Sequence, residues 1–230
     1  MIQLKLTLLI SFIPPNLNGE LRCICRRGNN LPPILADPKQ RFHCFNCTAL
    51  AGGIQERHNA LQNVLVTAIQ MDGGNLVNVV TPTINYQGRI NGIVNVLTPD
   101  ISLELQEGGV MKKIAVDVTV INQSCPTHIN KIISEVTEWK ERLKMDHYRL
   151  ADDMDGVELI PFVVTTTGIL GKMAENFISR LNSLTESDVF NSKLRRSIAF
   201  VVYKNNSMAI KSFIDHVYNR SINRLNRIRR

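Results

Sequence analysis

Residues 112–121, Lys-Lys-Ile-Ala-Val-Asp-Val-Thr-Val-Ile, constrain the fold of this chain more than any other stretch. Ile114, Val116, Val118 and Val120 recur at every second position, so in an extended segment they share one face. Asp117 and Thr119 then share the other face. β-Branched side chains suit a pleated strand and crowd the turns of a helix. Asp117 is the informative exception, because an unpaired carboxylate inside an otherwise apolar strand is costly. Such a group persists where a metal or a cation compensates it.

A second strand is expected over residues 99–105, where Ile101, Leu103 and Leu105 alternate with polar neighbours. Glu107-Gly108-Gly109 turns the chain between the two. Asp100 and Asp117 therefore lie on strands joined by a short hairpin. There they can converge on one Mg²⁺, helped by the Val118 carbonyl. An ion held that way activates water and stabilises the charge that develops in phosphodiester hydrolysis.

Around this pair, Leu61, Val64, Leu65, Ala68 and Ile69 predict a helix over 55–71, stopped at Asp72-Gly73-Gly74. Residues 76–83 read as a strand and 86–95 as a polar, Gly-containing connection. A long amphipathic helix is expected over 129–150, with Ile129, Ile132, Val136, Trp139, Leu143 and Leu150 on its apolar side. Lys140 and Lys144 lie about 40° and 80° from Val136 around that helix, close enough to its apolar edge to reach back over the acid pair. A buried strand over 158–166 and helices over 169–184, 192–203 and 207–219 complete the pattern. The order helix, three strands, helix, strand points to a mixed α/β layer fold.

With 230 residues, 44% of them apolar, the chain can bury one core with small appendages, and its composition is not that of a disordered tail. The net charge of +7 is uneven: residues 191–230 hold ten Lys/Arg and a single acid, Asp215. That basic end suggests a polyanionic partner, nucleic acid before membrane, although 224–230 could equally be a solvated tail. The apolar run 6–13 is too short to cross a bilayer and lacks a small-residue cleavage site before Pro14-Pro15. Residues 1–19 read as the end of a truncated upstream segment.

Five cysteines, four of them between positions 23 and 47, argue against a secreted disulfide framework and fit a reducing compartment with a metal site. Residues 20–50, with Gly28, Pro32, Pro33 and Pro38, cannot build a core alone and need a staple. Cys23-x-Cys25 offers half of a tetrahedral zinc site, and the other half is His43 with Cys47 or Cys44 with Cys47. Cys125 reads as a packing or loop thiol, and His128 and His147 as structural. Arg57-His58, near the start of the first helix, could face a phosphate or the acid pair. Asp152-Asp153 ends a helix and runs into the turn Asp155-Gly156, so it does not form a strand-borne metal pair. No Gly-rich phosphate loop, nucleophile elbow or His-Glu-x-x-His helix is present.

Asp100 and Asp117 on neighbouring strands resemble the PD-(D/E)XK restriction-like nucleases, although Thr119 stands where that pattern usually carries a lysine. The wider series narrows the likeness. Cys23-x-Cys25, His43-x3-Cys47, Arg57-His58-Asn59, Pro99-Asp100, Asp117-Val118-Thr119-Val120 and Lys144-x3-Tyr148 follow in order. Together with 159–168 and Arg195-Arg196-Ser197-Ile198, they resemble the restriction-like endonuclease at the C-terminus of non-LTR retrotransposon polyproteins, downstream of the reverse transcriptase. The likeness covers roughly residues 20–218. It departs at Thr98, where the family often has a basic residue, and at Thr81-Pro82, where it often has an acid before the proline.

The resemblance implies a Mg²⁺- or Mn²⁺-dependent DNA endonuclease that nicks target DNA, with Asp100, Asp117 and Val118 on the catalytic ion and Lys144 as a displaced catalytic lysine. It selects Cys23, Cys25, His43 and Cys47 for a structural Zn²⁺. It also implies DNA contacts from Arg57, His58, Arg195, Arg196, Arg224 and Arg227, with retroelement RNA as a further partner, no membrane, and the nucleus as the site of action in a eukaryotic host. The domain reading is an upstream segment (1–19), a zinc-knuckle-like module (20–50), a restriction-endonuclease-like core (51–168) and a basic helical extension (169–230). The alternatives are a catalytically decayed fragment that binds nucleic acid through the zinc module and basic tail, and a plain structural domain of a decayed polyprotein.

Overall fold

The computed structural model of the protein describes residues 43–47, 51–72, 77–80, 85–90, 93–125, 127–149, 151, 154–185, 187 and 189–228. These fall into two compact units. One comprises 56–123 and 131–204, and the other contains the described residues of 1–55, 124–130 and 205–230. The larger unit is mixed α/β. Its sheet is built from β1 (Val77–Val80), β4 (Ile101–Glu107), β5 (Val110–Ile121) and β6 (Val157–Thr165) in the order β1-β4-β5-β6, and β2 (Tyr86–Ile90) pairs with β3 (Ile93–Leu97) as a separate hairpin. The helices are α1 (Ala51–Asp72), α2 (Ile133–Tyr148), α3 (Lys172–Leu184) and α4 (Phe190–Ile228).

β4 and β5 are antiparallel with Ile101 opposite Val116 and Glu107 opposite Val110. The loop between them is only Gly108-Gly109, with φ of 58° and 80°. Tight two-residue hairpins require such positive φ, which side-chain-bearing residues resist. β5 and β6 are parallel, so the chain must cross over between them, and it does so through α2. Pro161 lies opposite Asp117 on β6. β6 is an edge strand of the sheet, where a residue without an N–H is tolerated.

The alternation read in residues 112–121 puts Ile114, Val116 and Val118 into the main core with Ile101, Leu103, Leu105, Ile160, Phe162 and Val164. Leu61, Leu65 and Ile69 of α1, Phe177, Ile178 and Leu181 of α3, and Phe190, Leu194, Ile198 and Val202 of α4 cover that face. The opposite face is also covered: Ala115 and Leu159 pack with Tyr148 of α2 and with Tyr86 and Leu97 of the small hairpin. Further along, Ile121 and Val163 meet Val136. A sheet closed on both sides explains why β6 is almost continuously buried and why β5 is buried from Ile114 to Val118, its first four residues being exposed.

Three sequence expectations are corrected. Residues 86–95 are no plain connection, because most of them lie in the β2–β3 hairpin, whose Tyr86 and Leu97 are buried by residues distant in sequence. The helix expected over 129–150 runs from Ile133 to Tyr148, and Ile129, Ile132, Trp139 and Leu143 of its supposed apolar side are exposed. Its buried residues are Val136, Thr137, Glu141 and Tyr148: Val136 packs with Ile121 and Val163, Glu141 accepts the Met173 N–H of α3, and Tyr148 packs with Ala115 and Leu159. The two helices over 192–203 and 207–219 are one continuous α4. Asn205-Asn206-Ser207 costs only a few tenths of a kcal/mol per residue in helix propensity, roughly, and contains neither Gly nor Pro to break the helix.

Within the smaller unit, a 3₁₀ turn over His43–Asn46 packs Cys44 and Phe45 against Ile210 and Phe213, and the His43 ring meets Phe213 edge-on at 6.5 Å. Among the described residues no helix is long and apolar enough to cross a membrane.

Candidate functional site

The β4–β5 register, carried one residue beyond Ile101–Val116, brings Asp100 opposite Asp117, and opposed residues of an antiparallel pair share a face. The Asp100 N–H donates to the Val116 carbonyl at 3.0 Å. Its side chain then turns back over β5, and Oδ2 accepts the Val118 N–H at 2.6 Å. The carboxylate thus replaces a ladder hydrogen bond where β4 begins, next to Pro99, which has no N–H. The charge of Asp100 contributes, after burial, to raising the Asp117 pKa.

Two residues one turn apart on α1 hold Asp100. His58 Nε2 lies 3.1 Å from Asp100 Oδ2, and the Gln62 side-chain amide donates to the Asp100 backbone carbonyl. The hydrogen bond to Asp100 raises the His58 pKa above its ordinary value, against the opposing effect of burial. No donor among the described residues reaches Asp100 Oδ1.

α2 supplies the partners of Asp117. Lys144 Nζ lies 2.9 Å from Asp117 Oδ2 and 2.9 Å from Oδ1. Tyr148, one turn further on, is buried near Asp117, and burial together with that carboxylate pushes the tyrosine pKa up. Asp117 is only 5% exposed, and burial raises its pKa, while Lys144 and then Tyr148 pull it down. Lys140 is half-buried beside them, with a pKa lowered by burial and by Lys144. The face of α2 toward the sheet therefore carries Lys144 and Tyr148 at helical spacing, a polar stripe that a search for apolar periodicity passes over.

The structure thus gathers Asp100, Asp117, Lys144 and His58 around the start of β4. It adds Gln62, which was absent from the expected site, and Tyr148, which the sequence offered only as the end of Lys144-x3-Tyr148. His58-x3-Gln62 and Lys144-x3-Tyr148 are both i, i+4 pairs, the only local signal either residue carries. The remaining expected residues lie elsewhere. Arg57 is 2% exposed, so it does not present its guanidinium to solvent. Arg195 is engaged by Glu175, with one nitrogen 2.7 Å from a carboxylate oxygen, whereas Arg196 is exposed. Of the expected zinc ligands, His43 and Cys47 are buried in the smaller unit and Cys44 packs beside Phe45. Cys23 and Cys25 lie outside the described residues, as do the side chains of Arg224 and Arg227.

The donors at the acid pair suit a hard divalent cation. They are carboxylate oxygens, with Lys144 against Asp117 and the His58 imidazole against Asp100. Among the described residues no three His, Cys, Asp or Glu side chains are grouped to hold an ion, so the set offered is the carboxylate pair. The chain matches no protein-family model, and no curated protein matches it.

Proposed function

We propose that the chain is a metal-dependent DNA endonuclease domain of the restriction-like type, belonging to a non-LTR retroelement, which nicks target DNA by phosphodiester hydrolysis. The observation that carries this reading is the Asp117 carboxylate, buried in β5 with Lys144 at 2.9 Å and with Asp100 opposite it across the β4–β5 pair. A buried acid with a raised pKa, a lysine on its two oxygens and a second acid on the same face is a costly arrangement for stability alone. A core of α1, the antiparallel β-strands, α2 and the parallel β6 supports the same reading, since it presents both acids from one end of the sheet.

Asp100, Asp117 and the Val118 carbonyl would hold Mg²⁺ or Mn²⁺. When bound, the ion supplies Lewis acidity at the phosphate and lowers the pKa of a coordinated water. Lys144 opposes the rise that burial imposes on the Asp117 pKa and has further N–H groups for a phosphate oxygen. Tyr148, buried near Asp117, closes that end of the site. His58 and Gln62 fix Asp100 by its carboxylate and by its backbone. Thr119, half-buried two residues after Asp117, leaves the place usually taken by a lysine to a shorter neutral side chain, and Lys144 on α2 supplies the missing charge from across the site.

A plasmid-nicking assay with Mg²⁺ or Mn²⁺ tests the reading. Wild-type protein should convert supercoiled plasmid to the open circle, and Asp117→Ala and Asp100→Ala should each abolish this while remaining folded. Equal nicking by Asp117→Ala would refute it. Thr119 also favours a second reading, a nucleic-acid-binding domain that has lost its chemistry. In that case the wild type binds DNA and never nicks it with either ion.

A further inference from the structure

The outer face of α4 carries a feature that the acid site does not use. Leu194, Ile198 and Val202 turn inward and are buried. Arg196 and Phe200 lie about 200° around the helix from Ile198, on the opposite side. Phe200 is 65% exposed and Tyr203, one turn on, is 37% exposed. The Phe200 ring, held mostly in water on this helix, gains little for the fold, since most of its burial is forfeited. Arg196 precedes the pair by one turn and Lys204 follows it, both exposed, and neither is bonded to a carboxylate among the described residues. From Phe190 to Ile214 the helix carries five Lys/Arg and no Asp or Glu.

We infer that this face is a binding platform for single-stranded nucleic acid, with bases stacked on Phe200 and Tyr203 and the flanking phosphates held by Arg196 and Lys204. Charge selects the partner. A stretch with cations and no acids favours a polyanion, and exposed rings add a preference for one whose flat faces are accessible. Base–aromatic stacking tolerates any sequence, because every base has a π-face. The two rings are spaced about 4.5 Å along the helix axis. Successive bases lie about 3.4 Å apart along a strand. An unpaired strand can stretch to match the wider step, whereas a duplex keeps its base faces stacked internally. The platform does not depend on the acid pair, so it serves equally a nuclease handling a nicked or displaced strand and a domain that only binds.

The test is fluorescence anisotropy with the full chain in magnesium-free buffer, over a range of salt. The probes are a labelled single strand of about 20 nucleotides, which spans more than one stacking site, and a duplex of equal length. Phe200→Ala/Tyr203→Ala should weaken single-strand binding about tenfold or more, since each lost stack is worth that order. Duplex affinity and the salt slope should hardly change. Phe200→Trp should retain single-strand affinity. Arg196→Ala/Lys204→Ala should weaken both probes and reduce the single-strand salt slope by about 0.7 for each of two lost contacts. Binding is read without magnesium and does not require cleavage, so a failed nicking assay leaves this inference standing. Unchanged single-strand affinity in the aromatic double variant, or an equal loss for duplex, overturns the proposal. So does a change confined to self-association in sedimentation, which would assign the face to a protein partner.

Discussion

Removing the charge on Lys144 should cost far more than removing the charge it neutralises. Asp117 is 5% exposed, whereas Lys144 retains 26% of its side-chain surface. In Lys144→Met the carboxylate stays buried without its cation, and breaking such a pair from one side typically costs about 3 kcal/mol or more. In Asp117→Asn the remaining ammonium can turn to water, so the change should lie within about 1 kcal/mol of wild type. The double variant removes both charges and should recover most of the loss, giving a coupling of about 2 kcal/mol or more. Urea denaturation at neutral pH measures all four proteins. The pH dependence supplies an independent check. Burial raises the Asp117 pKa above its ordinary value of 3.8, and losing Lys144 raises it further. A folded state that binds its proton more tightly than the unfolded chain loses stability as pH rises from the unfolded value through the folded one. The Lys144→Met deficit should therefore be full at neutral pH and shrink as pH falls through the raised pKa. A Lys144→Met protein as stable as wild type at pH 7, or a double variant no better than Lys144→Met, would refute the argument that Asp117 is a buried charge held by Lys144.

Gly171→Ala should destabilise by about 2 kcal/mol, because a Cβ there would collide with the Glu141 carboxylate. That carboxylate lies 3.2 Å from the Cβ at Cδ and accepts the Met173 N–H at 2.9 Å in the first turn of α3. The same substitution made in Glu141→Ala should cost less, with the Val163 Cβ at 3.3 Å the remaining tight contact, and a full cost there would mean that the Glu141 carboxylate is not the obstacle. Arg180 bridges Glu107 and Glu158, and its hydrogen bonds, with those of Lys112, lower the Glu107 pKa from 4.5 to about 2. A depressed acid stabilises the fold above its unfolded pKa and loses that contribution as pH falls through the folded one. Arg180→Ala should accordingly flatten the loss of stability between pH 4.5 and 2, and an identical acid titration of wild type and variant would contradict it. If Cys23, Cys25, His43 and Cys47 hold zinc, the purified chain should contain one equivalent by elemental analysis, and chelation should open residues 20–50 to protease. An unchanged digestion pattern after metal removal would exclude the staple.

Where local pattern and final burial coincided, the sequence alone was sufficient. The period-two run in 112–121 and the Gly108-Gly109 turn determined the β4–β5 hairpin, because a single residue of slip would move Ile114, Val116 and Val118 out of the core. The same pattern placed Asp117 off the apolar face, opposite the acid that follows Pro99. The tertiary structure decided what faces that acid. α2 turns Lys144 and Tyr148 toward the sheet and leaves Trp139 and Leu143 in water, the reverse of what its apolar residues suggest. A buried carboxylate rewards a cation and a hydroxyl over a hydrocarbon, and that reward exists only once the sheet has been built. Likewise, nothing local marks Gln62 as the partner of the Asp100 carbonyl, 38 residues on, nor shows that Ala115, Tyr148 and Leu159 will bury Tyr86 and Leu97. A contact between distant positions leaves no period in either segment.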